Sequence, residues 1–186
     1  MSYDEICNAV AEIKKKYDEK DPVRLCTAMG IILLYTPMGA NKDSIKGFFL
    51  ENRRIKTITV NSDLPLIVQK FVIGHELGHA VLHRKQALNT FHEISSFNES
   101  NIYEKEANLF AAEYLLEDEE VLNALNSDNT FFSTAATLHV PVELLDFKFR
   151  LLKWKGYRLN EQPITAPADF FKDLPVNYDT DDLIDW

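Results

Sequence analysis

Apolar positions recur at helical spacing at the start of the chain, at Ile6, Val10, Ile13 and Tyr17 behind Ser2 and Asp4, and predict an amphipathic helix over 3–19. Asp21-Pro22 interrupts it, and a short second helix is expected to run to Met29. Ile31 to Tyr35 is a compact apolar run closed by Thr-Pro-Met-Gly, the pattern of a strand and a turn. Gly47–Glu51 and Ile55–Val60 flank Asn52-Arg53-Arg54 as a β-hairpin, with Ile58 and Val60 alternating with Thr57 and Thr59 so that one face is buried. Asn61-Ser62-Asp63 and Pro65 then read as a polar-capped start of a helix reaching about Arg84. A loop around 85–100 leads to a helix over roughly 101–117, and two or three more helices fill 118–155. The predicted fold class is α+β: a small antiparallel sheet packed against one helix, followed by a mainly helical C-terminal half.

Residues 161–186 break this pattern. They carry seven carboxylates against one Lys, and Pro163, Pro167 and Pro175, so they read as an acidic extended tail on a single domain spanning 1–160. Phe170, Phe171, Leu174 and Trp186 lie among those acids, which points to a segment that packs on its own domain. The chain of 186 residues has a net charge of −9, a balance that argues against gripping nucleic acid. No apolar run approaches the roughly 20 residues of a membrane span, and the first residues lack a signal-peptide pattern. Two cysteines, Cys7 and Cys26, make no disulfide framework, so the expectation is a reduced, cytoplasmic protein.

The chemistry is concentrated in His75-Glu76-Leu77-Gly78-His79. Residues four apart on a helix are offset by about 40° and about 6 Å, so both imidazoles can converge on one metal ion. Neutral imidazole suits Zn2+, and Glu76, about 100° around from His75, falls beside the metal as a general base. A chance match is expected only about 0.01 times in a chain with five histidines. Gly78, without a side chain, lets another element approach the helix.

A catalytic zinc site needs a third protein ligand. His83 is about 80° and about 12 Å from His75 and is expected to support or pack rather than ligate. His92 and Glu93 fall in a loop, and nothing in their spacing favours them. On the following helix Ala107, Phe110, Ala111, Tyr114 and Leu115 form an apolar stripe. Glu104 lies inside that sector and Glu106 at its margin, so periodicity slightly favours Glu104 and leaves both open.

The run Ile73-Gly74-His75-Glu76-Leu77-Gly78-His79-Ala80-Val81-Leu82-His83, followed by Glu104-Lys105-Glu106-Ala107-Asn108-Leu109-Phe110-Ala111-Ala112-Glu113, resembles the ImmA/IrrE metallopeptidases. Lys46-Gly47-Phe48-Phe49 and Ile58-Thr59-Val60-Asn61-Ser62-Asp63-Leu64 are similar to that family's approach to its active helix, and the resemblance spans about 20–155. Leu116-Glu117 departs from the Met-Pro of many relatives, at the helix end only. The resemblance implies His75, His79 and Glu106 as zinc ligands and Glu76 as catalytic base. It also implies a cytosolic endopeptidase that cuts helix-turn-helix repressors of phages, mobile elements or stress regulons, and so regulates transcription. The acidic balance of this chain suits a basic DNA-binding partner.

Residues 133–145 have a helix-turn-helix look of their own. Glu143 and Asp146 on the second helix disfavour DNA binding, although Lys148, Arg150, Lys153 and Lys155 follow. His139 is expected to cap or pack. The competing function is a metal-containing regulatory module that holds a transcription factor without cutting it. His83, His92, Tyr103 and Tyr114 are candidates for an oxyanion donor.

Overall fold

The structure is a computed structural model; it describes residues 1–41, 44–83, 97–127, 130–159 and 163–170. Helix α1 (Tyr3–Tyr17) starts at a capping box, in which Ser2 and Glu5 bond each other's backbone N–H. Helix α2 (Pro22–Ala28) starts at Asp21, whose carboxylate accepts from Val23 and Arg24 N–H. Three strands follow, β1 (Ile31–Thr36), β2 (Gly47–Asn52) and β3 (Ile55–Asn61), then α3 (Leu66–Leu82). The C-terminal half is helical, with α4 (Phe97–Leu115), α5 (Asp118–Asn126), α6 (Phe131–Thr137) and α7 (Val142–Trp154). The α+β class inferred from the sequence holds.

The sheet is mixed, not wholly antiparallel. Its order is β1-β3-β2, with β2–β3 the expected hairpin and β1 parallel to β3. Successive strands alternate in direction, but β3 returns between its two predecessors, so its contact with β1 is necessarily parallel. Arg53 and Arg54 take left-handed φ values of 48° and 69° at the hairpin turn, as a tight two-residue turn requires.

The polar residues before α3 do not cap it. Its N-cap is Pro65, without a side-chain hydrogen bond. Asn61, fully buried, holds the β1–β2 connection instead: it accepts from Met38 N–H and donates to the carbonyls of Gly39 and Ile45. Asp63 accepts from Gly39 N–H. These bonds anchor the connection that brings the chain into β2, the strand nearest the functional residues.

Helix α3 is buried along most of its length, between the sheet on one side and α4 on the other. Helix α4 packs in turn on α1 and α7. The core joins Ile6 and Val10 of α1, Ile58 and Val60 of β3, Leu77 of α3, Phe110 of α4, and Leu144 and Leu151 of α7. The pair α6–α7 is a packed hairpin, with Leu144, Leu145, Phe147, Leu151 and Leu152 buried in that core. Its cations are engaged internally: Lys148 and Lys155 pair with Glu113 and Asp118, and Arg150 with Asp146. His139 sits exposed at the turn with φ of 52°. Of the tail expected from 161 onward, residues 163–170 lie against α7, and 171–186 are outside the described residues.

Candidate metal centre

Glycines determine how closely the three layers meet. A Cβ on Gly78 would lie 2.9 Å from Ala107 Cα, and one on Gly74 would lie 2.9 Å from Leu115 Cδ1. Each glycine immediately precedes a histidine of the motif, so α4 approaches α3 most closely beside His75 and His79. On the other side, a Cβ on Gly47 would overlap Val72 Cγ1. Strand β2 therefore lies against α3, and the backbone N–H of Phe49 reaches the Glu76 carboxylate.

His75, His79 and Glu104 bring one ligand atom each to a common point, all within 4.8 Å of one another. The two Nε2 atoms are 3.0 Å apart, and the Glu104 oxygens lie 3.2 Å from His75 Nε2 and 3.5 Å from His79 Nε2. Zinc bound at about 2.0–2.1 Å in a tetrahedron separates its ligands by about 3.3–3.4 Å. The three donors thus have the spacing of one tetrahedral face; a zinc ion held by them would keep a fourth position for water or substrate. The donor set of two imidazoles and a carboxylate suits a borderline divalent ion.

The next shell fixes how the imidazoles are presented. His75 Nδ1 donates to Asn108 Oδ1 at 2.8 Å, which leaves Nε2 with its lone pair directed at the site. His79 Nδ1 meets His83 Nδ1 at 3.1 Å, and His83 Nε2 donates to Glu106 Oε2 at 2.7 Å. With His83 protonated on Nε2, its Nδ1 accepts from His79, so His79 also turns a bare Nε2 to the site. His83 thus lies between His79 and Glu106, bonded to both.

Glu106 is brought to His83, and Glu104 to His75 and His79. Residues two apart on a helix point about 200° from each other, so the two carboxylates leave α4 in different directions. The ligand set implied by the family resemblance has Glu106 beside His75 and His79; the geometry brings Glu104 to those two imidazoles and Glu106 to His83. The α-amino group of Met1 pairs with the same Glu106 carboxylate. Asn108 carries a role that sequence reasoning missed. The signal was present: a polar residue four positions after Glu104, inside the apolar face of α4.

Burial would raise the Glu104 carboxyl, but the two imidazoles of His75 and His79 that face it outweigh burial and hold it well below the usual range. Burial dominates at Glu76, which is 7% exposed, and pushes its carboxyl up to about 7. His79 and the Phe49 N–H pull it down, and the Glu104 charge pushes it up. A carboxyl near 7 is matched to accepting and returning a proton near neutral pH. Burial lowers His83 against the pull of Glu106, consistent with a neutral imidazole in the relay.

Of the remaining candidates, Tyr103 stacks obliquely on His83 with ring centroids 4.8 Å apart, while the Tyr114 hydroxyl donates to the Glu19 carbonyl. His92 and Glu93 fall outside the described residues.

The sequence places the chain in a family. The profile of the IrrE N-terminal-like domain, peptidase family M78, matches residues 26–150, and the chain belongs to that family. It is 36% identical over 140 residues to a protein named uncharacterized immunity region protein 2 of Bacillus phage phi105, covering 75% of this chain and 86% of that one. It is 27% identical over 164 residues to the metallopeptidase ImmA of Bacillus subtilis strain 168, covering 87% of this chain and 94% of that one. The family and this relative are metallopeptidases, which implies a metal ion. Among the described residues no helix is long and apolar enough to cross a membrane.

Proposed function

We propose that this protein is a cytoplasmic zinc endopeptidase in which His75, His79 and Glu104 hold the metal and Glu76 is the general base. The observation that carries the reading is the convergence of those three donors at tetrahedral spacing, with a buried carboxyl between the metal site and β2. A zinc ion held there supplies polarisation of the scissile carbonyl and acidification of a water molecule. Glu76 takes a proton from the attacking water and delivers it to the departing amine nitrogen as the C–N bond breaks. The Phe49 N–H orients the Glu76 carboxylate, while Asn108 and His83 hold the two imidazoles in the tautomers that ligate.

The substrate we infer is a helix-turn-helix repressor. The phage relative is named for an immunity region, and the second relative is named as a metallopeptidase. The net charge of −9 favours encounter with a basic DNA-binding protein over DNA itself. The internal pairing of Lys148, Arg150 and Lys155 supports the same exclusion.

The test is incubation of zinc-loaded protein with the repressor encoded beside its gene, wild type against Glu76→Gln. A single cut by wild type and none by the variant is expected. A stable complex in which wild type leaves the repressor intact would show a binding module instead.

A further inference from the structure

Residues 163–170 cross α7 and reach the back of the metal site. The Ala166 N–H donates to Asp146 Oδ2 at 2.9 Å, and Arg150 donates to the Ala166 carbonyl at 2.8 Å. Phe170, 3% exposed, stacks on Phe147 with ring centroids 5.5 Å apart. Between these two anchors, the Ala168 carbonyl accepts from Asn108 Nδ2 at 2.6 Å.

That last bond decides which way the Asn108 amide faces. A backbone carbonyl only accepts, so Asn108 must turn its NH2 to Ala168 and its Oδ1 to His75. His75 must then carry its proton on Nδ1 and leave Nε2 bare toward His79 and Glu104. Without the Ala168 carbonyl, the amide is free to rotate and offer its NH2 to His75. The imidazole would answer by accepting on Nδ1 and carrying its proton on Nε2, the tautomer that cannot ligate through Nε2.

We propose that the 163–170 strap is a positioning element of the metal centre: the Ala168 carbonyl, held in place by Ala166 and Phe170, sets the tautomer of His75 through Asn108. A stretch whose Ala168 lies 60 residues after Asn108, outside the 26–150 family match, thereby tunes metal affinity. Whatever lifts this strap, a partner or a proteolytic cut, loosens the metal. The proposal rests on the metal-site reading above.

The test uses the full chain with Phe170→Ala, which removes the anchor and leaves every proposed ligand in place. Zinc affinity is read by chelator competition, and the His75 tautomer of the metal-free protein by 15N NMR. We expect zinc to bind about 10-fold more weakly, at the low end of the effect of removing a direct outer-shell partner. The NMR should show a growing population of the Nε2–H form. Phe170→Leu, which keeps the apolar anchor, should restore both. In an Asn108→Asp background the same Phe170→Ala change should have no further effect on the tautomer, because a carboxylate can only accept from His75 and has no hydrogen to give the Ala168 carbonyl, so the strap no longer acts through this position.

Unchanged affinity and tautomer in folded Phe170→Ala would overturn the proposal. So would equal weakening in the Asn108→Asp background, which would reveal a general loss of packing. The tautomer is measured without metal. A wild type that fails to take zinc would count against the metal-site reading, while a tautomer shift in Phe170→Ala would still support the strap.

Discussion

Glu104 and Asn108, one turn apart on α4, meet opposite nitrogens of the same imidazole: Glu104 lies 3.2 Å from His75 Nε2 and Asn108 2.8 Å from His75 Nδ1. One helix thus supplies both the carboxylate that faces the two imidazoles and the bond that orients one of them. The i, i+4 spacing of Glu104 and Asn108 mirrors that of His75 and His79 on α3, and the close crossing of the two helices brings the pairs together.

That crossing depends on Gly78. Replacement by Ala puts a methyl group 2.9 Å from Ala107 Cα, which is backbone and cannot swing aside. Gly78→Ala is expected to cost about 1–3 kcal/mol, read from denaturant melting, and to weaken metal binding as α4 moves away. Wild-type stability and affinity in the variant would show that the helices have slack at this point.

Glu76→Gln should keep the fold and the metal, because Glu76 is not among the converging donors. Hydrolysis of a cleavable repressor should fall by about 10²–10⁴-fold, the contribution of a general base. Cleavage at the wild-type rate would remove Glu76 from that role.

The ion cluster joining α4, α5 and α7 gives a prediction in acid. Burial pushes the Asp118 carboxyl up, but hydrogen bonds and charge from Lys148 and Lys155 outweigh it and hold it below its ordinary value. The unfolded chain then binds more protons than the folded one through this window. The stabilisation is complete above the unfolded carboxyl pKa of about 3.9 and is lost as the pH falls through the lower folded value. Between pH 5 and pH 2, wild type should lose more stability in urea titrations than Asp118→Asn. Parallel losses in the two proteins would show that Asp118 contributes nothing to the acid limb.

The sequence made part of this site legible and hid the rest for physical reasons. His75, Glu76 and His79 are neighbours on one helix, so their relation is set by helical geometry alone. Periodicity leans toward Glu104, but which of Glu104 and Glu106 faces His75 and His79 depends on the rotation of α4 about its axis, which α3 fixes through Gly74 and Gly78. The strand pattern showed the β2–β3 hairpin but not that β3 inserts beside β1, since pairing partners leave no mark on alternation. Asn61 and Asp63 looked like caps because their type suits both caps and turns; the need to hold the β1–β2 connection decided their use. The bond between Asn108 and Ala168 links residues with no local relation, and no spacing rule reaches it.

The most direct test is zinc stoichiometry and affinity of wild type beside folded Glu104→Ala and Glu106→Ala, by elemental analysis and chelator competition. The geometry predicts about one zinc per chain in wild type and loss of tight binding in Glu104→Ala. Glu106→Ala, which removes the partner of His83 and of the Met1 α-amino group, should keep the stoichiometry and bind up to about 10–100-fold more weakly. Retention of tight zinc by Glu104→Ala, with loss in Glu106→Ala, would contradict the site described here and move the third ligand to Glu106.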